Sequence, residues 1–300
     1  LVNSDPWSAT SNPFGNQSEV TFTGDLVVPA GMHLYVSNMT LRFAPNAKLI
    51  VQRGGKANFL NTKLTSLLCT DLRWPGIRVE GNTANPYQDN NPNLPIGQEQ
   101  AWLVLSGNSI VENARYGVWC AREFESDNPD PAYYGGVVRA SNSRFINCLR
   151  GVQVEHYHRF DANNPQTGTE LPNRSQFLGC HFETNAAWPS GTPGWMAFVD
   201  DIRGVKFTSC SFENSAPQLF PPDETGGGIF MFNSITWVDG NNNPTSTYFR
   251  NLRFGVLNSS GIYHPVRVAK MHFENNVIGI ADMGSTYVNY SQNTFDVADQ

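Results

Sequence analysis

Residues 176–184 read Gln176-Phe177-Leu178-Gly179-Cys180-His181-Phe182-Glu183-Thr184, and residues 206–214 read Lys206-Phe207-Thr208-Ser209-Cys210-Ser211-Phe212-Glu213-Asn214. Both set two phenylalanines five positions apart around a cysteine. The same outline recurs in weaker form along the chain: an apolar residue, two others, a small or medium residue, one more, then a second apolar residue. Val36, Met39 and Leu41 fit it, as do Phe59, Thr62 and Leu64. So do Leu105, Asn108 and Ile110; Ala140, Ser143 and Phe145; Phe249, Leu252 and Phe254; Val268, Met271 and Phe273; and Tyr290, Asn293 and Phe295. The closing position steps from 41 to 64, from 254 to 273 and from 273 to 295, a unit near twenty residues. The longer steps elsewhere read as that unit plus an insertion.

A second column consists of a glycine opening a short apolar run: Gly76, Gly117, Gly151, Gly228, Gly261 and Gly279. The turn before it often carries asparagine, as at Asn113, Asn147, Asn258 and Asn275. Asparagine tolerates the left-handed backbone that such a turn needs, and glycine suits a tight bend. A strand–turn–glycine–strand unit of this length matches one coil of a parallel β-solenoid. Each coil exposes an apolar edge that stacking at ~4.8 Å would bury. Nine coils would give a rod about 43 Å long. Phe145, Phe182 and Phe212 should then lie one above another, and Cys180 should lie beside Cys210.

Composition agrees and excludes other classes. Twenty Lys and Arg against 26 Asp and Glu leave a formal charge of −6, which disfavours binding to nucleic-acid phosphates. No apolar run reaches the ~18 residues of a membrane span. With 40 % hydrophobic residues, a folded core is expected. The runs of Val, Ile, Phe and Leu are short and separated by turn formers, the signature of an all-β chain. Cys69, Cys120, Cys148, Cys180 and Cys210 are odd in number and scattered, which suggests buried thiols rather than a disulfide framework.

With these features in hand, the chain resembles the right-handed parallel β-helix proteins of the pectate-lyase-like superfamily over nearly its whole length. Residues 26–66, with Val28-Pro29-Ala30-Gly31 and Arg53-Gly54-Gly55-Lys56-Ala57, are similar to the first coils of secreted β-helix proteins of Bacteroidota exported by type IX secretion. Trp74–Asn82 and Asn108–Val118 extend that likeness. The resemblance implies a right-handed, single-stranded β-helix of about nine coils over residues 1–300, with 1–25 as a cap. It also implies a secreted or cell-surface address and a fragment or processed form of a longer protein. The cleaved sorting domain usual in such proteins is not visible.

Insertions near 82–100, 123–136 and 159–173 follow the glycine-led strand, and Asp239 to Thr247 is expected at the same corner. Two more, near 186–194 and 216–227, interrupt the preceding turn. Loops that gather on a rigid scaffold commonly carry function. The first group is acidic and aromatic, with Tyr87, Phe124, Asp127, Asp130, Tyr133, Tyr134 and Phe160 as candidates for binding a glycan: flat rings cover sugars and carboxylates accept their hydroxyls. The opposing expectation is solvated decoration.

Candidate chemistry is sparse. Asp200, Asp201 and Arg203 imitate part of the pectin-hydrolase pattern, but its Gly-His-Gly and Arg-Ile-Lys are missing. Neighbours on a strand should also face opposite ways. Glu155, His156 and His158 follow the Gly151 strand, and the two histidines share a face at strand spacing, which permits metal binding or proton transfer. Asp239, Asn241 and Asn243 begin like a calcium loop, but Pro244 and Arg250 occupy its glycine and glutamate places, which excludes an EF-hand. No cofactor is implied beyond calcium at such an oxygen-rich loop. The function expected is a structural or adhesive extracellular module that binds polysaccharide, with a polysaccharide lyase or glycoside hydrolase as the alternative.

Overall fold

The computed structural model describes residues 6–67, 72–88, 97–125, 128–161, 168–243, 245–261, 265–285 and 287–296. The protein is all-β, and its stacked strands pair in parallel in a repeating order over three sheets, with two short antiparallel pairs in the loops, Glu123–Glu125 with Asn128–Pro129 and Arg159–Phe160 with Glu170–Leu171. One circuit shows the rule. His33–Ser37 lies in the first sheet, Thr40–Phe43 in the second and Leu49–Val51 in the third; Lys56–Leu60 then returns to pair with His33–Ser37. The second sheet runs through ten strands from Glu19–Phe22 to Thr294–Asp296. The first and third are joined because one long strand, Ala197–Thr208, starts in the third and ends in the first.

Alternating burial drives the stacking. The inner column of the second sheet runs Val20, Leu41, Leu64, Val111, Phe145, Phe182, Phe212, Phe249, Phe273 and Phe295 in successive register. From Phe145 onward its rings stack at centroid spacings of 4.8, 4.6, 4.7, 5.0 and 4.9 Å. The expected alignment of Phe145, Phe182 and Phe212 is therefore observed.

Two coils are registered differently from the sequence expectation. Val111, not Ile110, enters the column, because the preceding corner holds an extra residue: Gly107 and Asn108 both take left-handed φ, 60° and 67°. Phe249, not Phe254, pairs with Phe212, while Phe254 lies in the third sheet beside Gly227. Hence Ser109 and not Asn108 occupies the small-residue position: the Ser109 carbonyl accepts Arg144 N, as the carbonyls of Thr62, Ser143 and Cys180 accept the amides of the coils that follow them. In this column Thr62 Oγ1, Ser143 Oγ and Cys180 Sγ donate to the carbonyl two residues earlier, at 3.0, 3.0 and 3.6 Å. Cys120, Cys148, Cys180 and Cys210 are free and buried; Cys69 lies outside the described residues.

The glycine column has a different cause from the bend expected of it. It runs through Gly117, Gly151, Gly228, Gly255 and Gly279, with Gly255 replacing Gly261 and with Gly76 one position out, opposite Tyr116 at φ 96°. A Cβ on Gly151 would stand 2.5 Å from the Met196 carbonyl oxygen and 3.0 Å from Phe182 Cδ1; one on Gly228 would stand 2.6 Å from both the Gly255 oxygen and Phe249 Cδ1. These glycines make room for the stacked phenylalanines and the carbonyl of the next coil. The bends themselves fall to left-handed asparagines, among them Asn113, Asn147, Asn251 and Asn275. Asn258 is instead a buried strand residue.

Candidate functional site

The insertions that follow the third sheet knit into one wall. Gly81 N donates to Tyr133 O at 2.7 Å, Phe160 N to Pro86 O at 2.9 Å, and Arg174 N to Gln88 Oε1 at 2.8 Å. Tyr157 Oη donates to Asn85 O at 2.8 Å. The loop from Asp239 to Thr247 does not join this wall. Ile235–Asp239 is a first-sheet strand, so that loop leaves from another corner.

Next to the wall, the two carboxylate and histidine candidates turn out to be one constellation. Glu155 pairs with Asp200 and Tyr157 with Ile202 in adjacent coils, leaving His156 and Asp201 side by side between them. Both take left-handed backbone, with φ of 36° and 47°. This paired irregularity overrides the strand alternation, so Asp200 and Asp201 face the same histidine instead of opposite ways. His156 Nε2 lies 3.2 Å from Asp200 Oδ2, and its Nδ1 lies 3.1 Å from Asp201 Oδ2. His158 continues the chain, with Nε2 at 3.5 Å from Asp201 Oδ2 and Nδ1 at 3.0 Å from Glu170 Oε1. Sequence reading named every member except Glu170 as a site residue, but not their union.

Burial, with the neighbouring Asp201 charge, raises the pKa of Asp200 despite His156, and Asp200 Oδ1 is buried with no hydrogen-bond partner among the described residues. Burial also raises that of Glu155, which accepts from Trp119 Nε1 at 2.6 Å and from Gln153. The Glu170 hydrogen bond raises the His158 pKa. Among the described residues no ion pair joins Arg203 to either aspartate. The chain of alternating carboxylates and imidazoles can hold and pass a proton, and its outer oxygens can accept hydroxyls.

The aromatic candidates divide. Tyr87 and Phe160 are half-buried. Tyr133 is contacted by two guanidinium groups, with Arg53 and Arg122 at 3.7 and 4.7 Å from its ring centre. Tyr134 is buried against His156, and that burial, with the charges of Glu155, Asp200 and Asp130 nearby, pushes its hydroxyl up to about 12. The Tyr134 ring is buried, and the Tyr133 ring is engaged by guanidinium groups. Asp130 caps a short 3-10 turn by accepting Ala132 N. Asp127 and the Phe124 side chain lie outside the described residues. At the calcium candidates, Asp239 Oδ1 accepts Arg267 Nε at 2.6 Å, while the Asn241 and Asn243 oxygens accept amides and hydroxyls of their own loop.

A groove of about 530 Å³ opens beside Glu123 and gathers Lys48, Arg73, Arg78 and Arg115, four cations to one carboxylate. Lys48 and Arg78 both pair with Glu123. Sequence reading did not single it out, because its cations come from different coils. Also missed was His181-Phe182-Glu183 with Ser211-Phe212-Glu213, where His181, Glu183 and Glu213 converge on the outer face of the second sheet. The motif stands in the opening nonamers, but the strand register is needed to bring its halves together.

Comparison with protein-family models, with curated proteins and with solved structures gives no match in any of the three. Among the described residues, no helix is long and apolar enough to cross a membrane.

Proposed function

We propose that the chain is an extracellular or cell-surface module with a structural or adhesive role, built as a right-handed β-helix and binding glycans through its loop wall. The observation that carries this reading is the hydrogen-bonded union of three insertions on a stacked, rigid scaffold. Tyr87 and Phe160 supply partly open aromatic surface there. Secretion by the type IX route accords with the resemblance of residues 26–66. Fold alone carries no activity.

A second reading, a carbohydrate-active enzyme, is favoured by the convergence of Asp200, Asp201, His156 and His158 beside Glu155. Two carboxylates in different environments can divide acid and base roles. One experiment separates the two readings: a panel of neutral and acidic polysaccharides, with and without calcium, scored for retention and for release of new chain ends. The binding module retains a polysaccharide, releases nothing, and keeps that affinity in Asp201→Asn. Release of product that Asp201→Asn abolishes establishes the enzyme, and retention of no polysaccharide overturns the glycan reading.

A further inference from the structure

We infer that the outer face of the second sheet holds a divalent-metal site of the zinc class, formed by His181, Glu183 and Glu213. His181 Nε2 lies 3.6 Å from Glu183 Oε2 and 3.3 Å from Glu213 Oε1. Both separations exceed the 2.7–2.9 Å of a charge-assisted N–H···O bond. They match the edge of a tetrahedron about a zinc ion, about 3.4 Å when each ligand stands about 2.0–2.2 Å from the metal. The three side chains are 21, 12 and 14 % exposed, so the centre is largely sheltered from solvent. An imidazole nitrogen with two carboxylate oxygens suits zinc rather than calcium, which takes oxygen ligands.

The other imidazole nitrogen supports the assignment. His181 Nδ1 is 2.8 Å from Ser211 Oγ, on the strand that also bears Glu213. In the tautomer that donates from Nδ1 to that hydroxyl, the Nε2 lone pair is left for a metal ion, which is how metal-binding histidines are usually oriented.

The arrangement occurs a second time. His272-Phe273-Glu274 pairs with Thr294-Phe295-Asp296 on the next strand of the sheet. His272 Nδ1 lies 2.7 Å from Thr294 Oγ1, and Nε2 lies 3.7 Å from Glu274 Oε2 and 3.4 Å from Asp296 Oδ2. Asp296 is 67 % exposed, so this copy is the looser. Arginines moderate both. Arg144 lies 2.9 Å from Glu183 Oε2, and Arg250 lies 3.5 Å from Glu213 Oε2 and 2.8 Å from Glu274 Oε2. Their charge opposes an incoming cation, so affinity falls below that of unopposed carboxylates. Phe182, between His181 and Glu183, and Phe273, between His272 and Glu274, sit in the stacked core, which fixes the spacing of the donors on those strands.

The test is calorimetric titration of the chelator-stripped chain with zinc chloride, with cobalt(II) as an optical probe of the same site. The wild type is expected to bind zinc at the His181 site and, more weakly, at the His272 site, and to give visible cobalt bands of nitrogen and oxygen coordination. His181→Ala should weaken the tighter event at least tenfold, and Glu213→Gln should act in the same direction. Circular dichroism of the metal-free variants checks that they fold, and the cobalt spectrum of the wild type needs no variant. Zinc binding in the wild type no tighter than in the His181→Ala/His272→Ala double variant, or a cobalt spectrum unchanged by His181→Ala, would overturn the assignment.

Discussion

Truncating one ring of the phenylalanine column measures how far the core depends on stacked coils. Phe182 is fully buried, with Phe145 and Phe212 stacked on its two faces at 4.8 and 4.6 Å and Phe177 and Phe207 at its edges at 6.2 and 6.3 Å. Neighbours this closely packed on every side cannot collapse into the space left by the ring. Phe182→Ala should therefore cost about 5 kcal/mol, the upper end for a buried phenylalanine. Phe295 occupies the same column, but it is 54 % exposed and stacks on Phe273 from one side. With half its surface already in water, Phe295→Ala should cost about 1–2 kcal/mol. Urea unfolding followed by far-ultraviolet circular dichroism gives both values, with the slope checked for loss of cooperativity. Equal costs, within about 1 kcal/mol, would mean that position along the column does not matter, and the ladder argument would fail.

Further outcomes follow from other columns. Gly151→Ala should destabilise by about 3 kcal/mol, the cost of overpacking, because its Cβ would lie 2.5 Å from the Met196 carbonyl oxygen; an equilibrium unfolding curve superposing on wild type would contradict this. Asn147→Ala should cost about 2 kcal/mol, since Asn147 is buried at φ 53° and exchanges two hydrogen bonds with Asn185, at 2.8 and 2.9 Å; thermal melting reads it. At His158 the folded pKa is raised by Glu170, so its contribution to stability is full below the unfolded value near 6.5 and fades as pH rises through the folded value. Glu170→Gln should accordingly lower the His158 pKa in an NMR titration, and should lower the melting temperature at about pH 6 more than at about pH 8.

The apolar column and its spacing carried the fold because one inward apolar residue per coil, a phenylalanine from Phe145 onward, leaves a repeated mark in the chain. Register was legible only where corners kept a constant length. Ile110 and Val111 are adjacent and both apolar, so only the doubled left-handed corner at Gly107 and Asn108 decides between them. The long Asp239 to Thr247 loop likewise displaced Phe249 by one corner. The site was half legible. Glu155, His156, His158, Asp200 and Asp201 were visible as chemistry-bearing residues, but their convergence depends on left-handed backbone at a histidine and an aspartate. Neither residue type announces that conformation in the way asparagine or glycine does.

The most direct test of the stacked architecture is an experimental determination of the spacing between the rings of Phe145, Phe182, Phe212, Phe249, Phe273 and Phe295, by crystallography. The account predicts one continuous column with consecutive centroids between 4.6 and 5.0 Å apart. Rings dispersed among separate clusters would contradict it, and with it the single loop wall and the two histidine–carboxylate clusters.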